Sequence, residues 1–120
     1  MSRRAERVAE EIREEVARMI GGELKDPRIG FVTVTWVELT SDLRLARVHV
    51  GVLGGEAERA KTLAALEHSA GFLRREVGRR LRLKHTPELQ FLYDAGLDAT
   101  ERVARLLEES RDAEGREPEE

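Results

Sequence analysis

The sequence predicts an α+β domain, and three observations carry that expectation. Two strand-like runs follow one another directly after an N-terminal helical segment; helical periodicity then runs over 56–83; one more strand-like run comes after it. Strands in succession, then helices, then a single strand indicate α+β and not a doubly wound parallel sheet. At 120 residues the chain is expected to build one core.

The first helix is predicted over 3–20, where Ala5, Val8, Ala9, Ile12, Val16, Met19 and Ile20 recur at helical spacing with Arg and Glu between them. Ser2 is its expected N-cap and Gly21-Gly22 its expected stop. Lys25-Asp26-Pro27-Arg28-Ile29-Gly30 reads as a turn, because Pro27 blocks helix continuation. Phe31 to Thr40 is rich in Val, Thr and aromatic residues and reads as a strand, with Ser41-Asp42 as the turn that follows. The second strand, from Arg44 to Leu53, alternates Ala46, Val48, Val50 and Val52 against Leu45, Arg47, His49 and Gly51. One face of this hairpin is therefore buried and the other nearer solvent.

From Glu56 to Leu83 the apolar positions Leu63, Leu66, Ala70, Leu73, Val77 and Leu81 step by three and four. A single helix of that length would exceed the ~8–20 residues usual in globular domains. Ser69-Ala70-Gly71 stands mid-way, and glycine in a helix costs roughly 1 kcal/mol relative to alanine. A kink there is predicted, giving two helices. Pro87 opens a third strand over 88–93. Asp98 with Glu101 resembles a capping box for a short terminal helix carrying Val103, Leu106 and Leu107, and 111–120 is predicted to be a disordered acidic tail. The element order is α-β-β-α-α-β plus a terminal helix, with 1–110 as the domain.

Several kinds of chemistry have no residues to carry them. There is no cysteine, so disulfides, thiol catalysis and thiolate metal sites are excluded. No window approaches the ~18 consecutive apolar residues of a membrane span, and a cytoplasmic protein is expected. His49, His68 and His85 have no partner at metal-ligand spacing. Ser41, Ser69 and Ser110 lack a nucleophile-elbow context. No enzyme, metal or cofactor is expected.

Net charge is −3, but its distribution is uneven. Between Phe72 and His85 stand Arg74, Arg75, Arg79, Arg80, Arg82 and Lys84 against Glu76 alone, whereas from Asp94 onward ten acids face four arginines. On a wheel at about 100° per residue, Arg75, Arg79 and Arg82 fall opposite the Leu73/Val77/Leu81 stripe, with Arg74 and Arg80 flanking. A row of guanidinium forks on an anchored helix suits phosphate binding. An ordinary solvated face mixes signs, as 3–20 does. Gly51-Val52-Leu53-Gly54 matches the GxxG pattern of KH clamps but ends an apolar strand, whereas a working clamp joins two helices. With so few aromatic residues, base stacking is expected to be poorly provided for.

These motifs resemble the ribosome-binding factor A family. The resemblance rests on Lys-Asp-Pro-Arg-Ile-Gly at 25–30, Ser-Asp-Leu at 41–43 and Ala-Gly-Phe-Leu-Arg-Arg-Glu-Val-Gly-Arg-Arg-Leu-Arg-Leu-Lys at 70–84, followed by Thr-Pro-Glu-Leu-Gln-Phe-Leu-Tyr-Asp at 86–94. It implies a type II KH-like domain with an interhelical kink at Ser69, Ala70 and Gly71 in place of GxxG. It further implies a factor that binds the free 30S ribosomal subunit and 16S rRNA, assists late maturation and rRNA processing, supports cold adaptation, and has a maturation GTPase as functional neighbour. The family kink is typically Ala-x-Gly, and here Ser69 takes the Ala position; its hydroxyl can bond back to the preceding turn and favour bending. A monomer is expected. Lys25 and Arg28, and Arg3, Arg4 and Arg7 on the first helix, are further candidate contacts. The competing readings are a single-stranded RNA binder unrelated to the ribosome, a helix-turn-helix DNA binder using 56–83, and a protein-interaction module. Against the DNA reading, no base-reading Asn or Gln lies between Phe72 and Leu83.

Overall fold

The computed structural model describes residues 3–94; Ser2, the helix expected after Asp98 and the acidic tail lie outside the described residues. Helix α1 (Arg3–Arg18) buries Ala5, Ala9, Ile12 and Val16, the stripe that its spacing predicts. Gly21-Gly22 does not stop it. The helix widens into a π-helical turn over Met19–Glu23, closed by the Leu24 N–H donating to the Met19 carbonyl at 2.8 Å. Glycine lowers helix propensity without forbidding a wound turn. The chain becomes extended only at Leu24, just ahead of Asp26, which Pro27 bars from helical conformation.

Strands β1 (Val32–Leu39) and β2 (Leu45–Val52) pair antiparallel, and β3 (Glu88–Tyr93) joins β2 in parallel. The sheet order is β1-β2-β3, so the most apolar strand lies in the middle. Ala46, Val48, Val50 and Val52 are each at most 1% exposed and share one core with Ile12, Val16, Leu66, Leu73 and Val77. Fully burying a side chain of this size contributes about 1.5–3 kcal/mol. The helices therefore cover the alternating apolar face of β2, and among the described residues none of them covers the opposite face.

A β-bulge decides where Trp36 goes. The register shifts between Val34 and Trp36, and the displaced Thr35 donates its hydroxyl to the His49 carbonyl at 3.1 Å. Strict alternation from Val32 and Val34 would turn Trp36 into the core. The extra residue instead leaves Val34 and Val37 both buried and sets Trp36 on the open face. There its ring stacks on His49 with centroids 4.1 Å apart and planes 7° from parallel.

Helices α2 (Glu56–His68) and α3 (Ala70–Leu81) are separated by Ser69 alone, within the predicted kink. Ser69 sits at φ −91°, ψ −1°. Its N–H still donates to Ala65 and Leu66, and its carbonyl accepts from the Leu73 N–H at 3.0 Å, so the chain turns without orphaning its backbone groups. The Ser69 hydroxyl makes no capping hydrogen bond. The bend thus resides in the backbone and not in the side-chain bond anticipated for serine. Two devices fix these helices to the sheet. The Glu67 carboxylate accepts from the Phe91 N–H at 3.0 Å, which satisfies a donor on the outer edge of β3. At Gly78, α3 comes so close to the loop before β3 that an added Cβ would overlap Thr86 Oγ1.

Candidate nucleic-acid interface

The arginines predicted as one ridge divide into two groups. Arg79 and Arg80 are occupied by carboxylates. Arg79 donates to Glu76 at 2.7 Å. Arg80, at the inner flank of α3, pairs with three acids on three elements: Glu23 on the π-helical turn at 2.8 Å, Glu76 on α3 itself at 3.2 Å and Glu15 on α1 at 3.5 Å. Its guanidinium therefore clamps α3 to α1, and its raised pKa reflects the Glu23 hydrogen bonds first. Arg82 departs from the wheel altogether. The helix ends at Leu81, and Arg82 takes the left-handed conformation at φ 53°, donating its N–H to the Gly78 carbonyl. The periodicity carried the ridge one residue too far, because a left-handed C-cap lies off the helical wheel.

This clamp makes stability depend on pH. Hydrogen bonds from Arg80 hold Glu23 below its ordinary 4.5, and bonds from Arg79, then Arg80, do the same for Glu76. A carboxylate with a depressed folded-state pKa stabilises fully above its unfolded value and loses that contribution as pH falls through the folded value. Urea midpoints should accordingly decline below about pH 4.5. The decline should be shallower in Arg80→Met, which releases Glu23 and part of Glu76, than in the parent chain. Equal acid sensitivity in the two would show that the clamp contributes nothing.

The other group converges on a cleft between the β1–β2 turn, α3 and the loop before β3. Arg44, Arg74, Arg75, Lys84 and His85 line it, with Asp42, Thr86 and Glu88. Its larger part encloses about 450 Å³. Arg74 is braced there: Nη2 and Nε donate to the Thr86 carbonyl at 3.0 and 3.3 Å. Arg75 and Lys84 are exposed and form no ion pair among the described residues. Asp42 is a fixed anion at the rim of the cleft: it accepts from the Thr40 hydroxyl at 2.7 Å and the Arg44 N–H at 3.1 Å. Those bonds, Thr40 first, hold its carboxyl below the usual range.

Arg44 and His85 join the site through tertiary structure. The parallel pairing of β2 with β3 sets Arg44 beside Glu88, whose N–H donates to the Arg44 carbonyl at 2.9 Å. Arg44 carries no signal in the sequence beyond its charge, and His85 reads there as an isolated surface histidine. The Lys25–Arg28 turn lies elsewhere, against α2, where the Thr62 hydroxyl approaches the Arg28 carbonyl and the Gly30 N–H, each at 3.5 Å. Arg28 is held in a fork by Asp26, at 2.8 and 3.1 Å, which lowers the Asp26 pKa to about 2. Lys25 is exposed.

Two further sequence expectations meet the folded chain here. Gly51 of the GxxG match is buried inside β2, so that pattern forms no clamp. Base-stacking surface, expected to be scarce, is present: Phe31, Trp36 and Phe72 are 40–45% exposed. Scarce aromatics leave the core to aliphatic side chains, which do fill most of it, and that frees these three rings for the surface.

Comparison with known proteins agrees with this architecture. The family model described as ribosome-binding factor A matches residues 4–107. Ribosome-binding factor A of Desulforamulus reducens is 50% identical over 116 residues, covering 97% of each chain. The crystal structure of ribosome-binding factor A from Thermus thermophilus superposes with a TM-score of 0.66 at 28% identity, over 74% of this chain and 94% of that one. A homology model of the Thermus thermophilus factor, fitted into a cryo-EM map of a 30S complex, gives a TM-score of 0.61 at 29% identity, over 73% of this chain and 93% of that one. With its KH-like fold and a family match spanning nearly all of the described residues, the chain belongs to the ribosome-binding factor A family.

Proposed function

We propose that this protein binds the free 30S ribosomal subunit by gripping 16S rRNA phosphates in the cleft of Arg44, Arg74, Arg75, Lys84 and His85, and assists late 30S maturation and 16S rRNA processing. The observation that carries the reading is the convergence of four permanent cations and a histidine from three segments on one cleft. The basic side chains there outnumber the two carboxylates, Asp42 and Glu88, whereas Arg79 and Arg80 are each paired with acids. Family membership supplies the partner: the Thermus thermophilus factor was placed in a map of a 30S complex. The role is one of binding and not of catalysis. The factor acts as a monomer in the cytoplasm, with a maturation GTPase as functional neighbour and greatest need in the cold. Lys25 and Arg28, with Arg3, Arg4 and Arg7 at the start of α1, are secondary contacts.

The helix-turn-helix alternative is disfavoured by a specific feature. A DNA-reading pair is joined by a turn of about three to four residues, whereas Ser69 alone separates α2 from α3. Sucrose-gradient sedimentation of the protein with purified ribosomal particles tests the proposal. The full chain should travel with 30S particles at moderate salt and be released as salt rises, because counterion release makes phosphate binding salt-dependent. Protein that stays at the top of the gradient throughout would refute the assignment.

A further inference from the structure

Phe72 is out of place for a core residue. It lies in the first turn of α3, yet it is 40% exposed while its neighbour Leu73 is fully buried. On the wheel it falls within about 60° of Arg75 and Arg79, on the stripe that faces away from the sheet. Phe72 is the single aromatic residue of α3, and Arg79 on that stripe is paired with Glu76, which leaves Arg75 as its exposed cation. The other exposed rings lie off this helix. Trp36 stacks on His49. Phe31 stands at the open end of the hairpin, its carbonyl bonded to the N–H of the equally exposed Leu53. Among the described residues nothing stacks on Phe72. Arg75 stands three residues on, a neighbouring position on the helix surface.

A bare aromatic face beside a guanidinium offers the two contacts that one unpaired nucleotide needs. The base supplies a π-face to stack, and its phosphate supplies oxygens for the fork. A duplex offers the phosphates but keeps its bases stacked inside. Granted an RNA partner for this face, as above, we propose that Phe72 stacks an unpaired nucleobase next to a phosphate held by Arg75, so that the α3 face selects single-stranded RNA over duplex.

The test uses the full chain with a fluorescently labelled single-stranded oligoribonucleotide and a hairpin of the same composition, read by anisotropy at several salt concentrations. The parent protein should bind the single strand more tightly. Phe72→Leu keeps an apolar side chain but lacks the π-face, so it should bind the single strand about tenfold more weakly, with the hairpin affinity and the salt slope unchanged. Phe72→Tyr should bind like the parent. Single-strand affinity undiminished in Phe72→Leu would overturn the stacking role. Equal losses on both RNAs would overturn it too, since they would mean that Phe72 supports the face or docks a protein. If the parent binds neither RNA better than the cleft charge-reversal variant described below, the RNA reading itself falls, an outcome distinct from either of these.

Discussion

Replacing Arg44, Arg75 and Lys84 together with glutamate should abolish 30S co-sedimentation while leaving the fold intact. All three are exposed, and surface substitutions usually shift stability by no more than about ±0.5 kcal/mol each. Their effect on binding should be far larger. Each charge-assisted hydrogen bond to phosphate contributes about 1.5–3 kcal/mol, so losing three lowers affinity by at least about a thousandfold. The log–log salt slope should also flatten by about 2–3, because each phosphate contact accounts for about 0.7–0.9. Arg74 is left alone because it braces the Thr86 carbonyl. Arg13, Arg18 and Arg47 changed to glutamate make the matched control: the charge change is the same, but those residues lie on α1 and on the open sheet face, where they pair with Glu10, Glu15 and Glu38. Binding at parental affinity and parental salt slope by the cleft variant would move the RNA contact off this surface, and the first helix and the Lys25–Arg28 turn would then be the places to look.

Gly78→Ala should destabilise the protein, although helix propensity alone argues for the opposite. Alanine in a helix interior is worth roughly 1 kcal/mol over glycine. Here the new Cβ would overlap Thr86 Oγ1 and meet its Cβ and Cγ2 at 3.3 Å, a conflict that a short β-branched side chain relieves only by moving its backbone. Overpacking of this kind costs about 1–3 kcal/mol, so the clash wins and thermal or urea unfolding should shift accordingly. Removing the obstacle should reverse the sign. Thr86→Ala eliminates Oγ1 and Cγ2, so the double variant should recover most of the loss in a double-mutant cycle. A Gly78→Ala protein as stable as the parent would show that the close approach of α3 to the loop is soft. Because Thr86 also holds Arg74 and lines the cleft, the single variant should weaken 30S binding as well.

Local patterns alone determined much of this protein. The period-two run Ala46/Val48/Val50/Val52 specifies which face of β2 is buried, and the three- and four-residue steps of α1, α2 and α3 place their stripes on that face. Small residues at 69–71 mark the break between helices, and the excess of arginine over acid after Phe72 marks a basic face. Each of these is a statement about neighbours in the chain, which the sequence records directly. The rest depended on which distant residues meet. Arg80 reads as one more ridge arginine until α1 and the π-helical turn bring Glu15 and Glu23 against it. Arg44 reads as no more than the first residue of a strand until parallel pairing of β2 with β3 brings it to the cleft that Arg74 also lines. Trp36 follows the alternation of Val32 and Val34 until a bulge shifts the register by one residue, and the exposure of Phe72 shows only in the folded chain. Charge pairing, register and exposure are properties of contacts between segments, and a one-dimensional pattern records only the order within them.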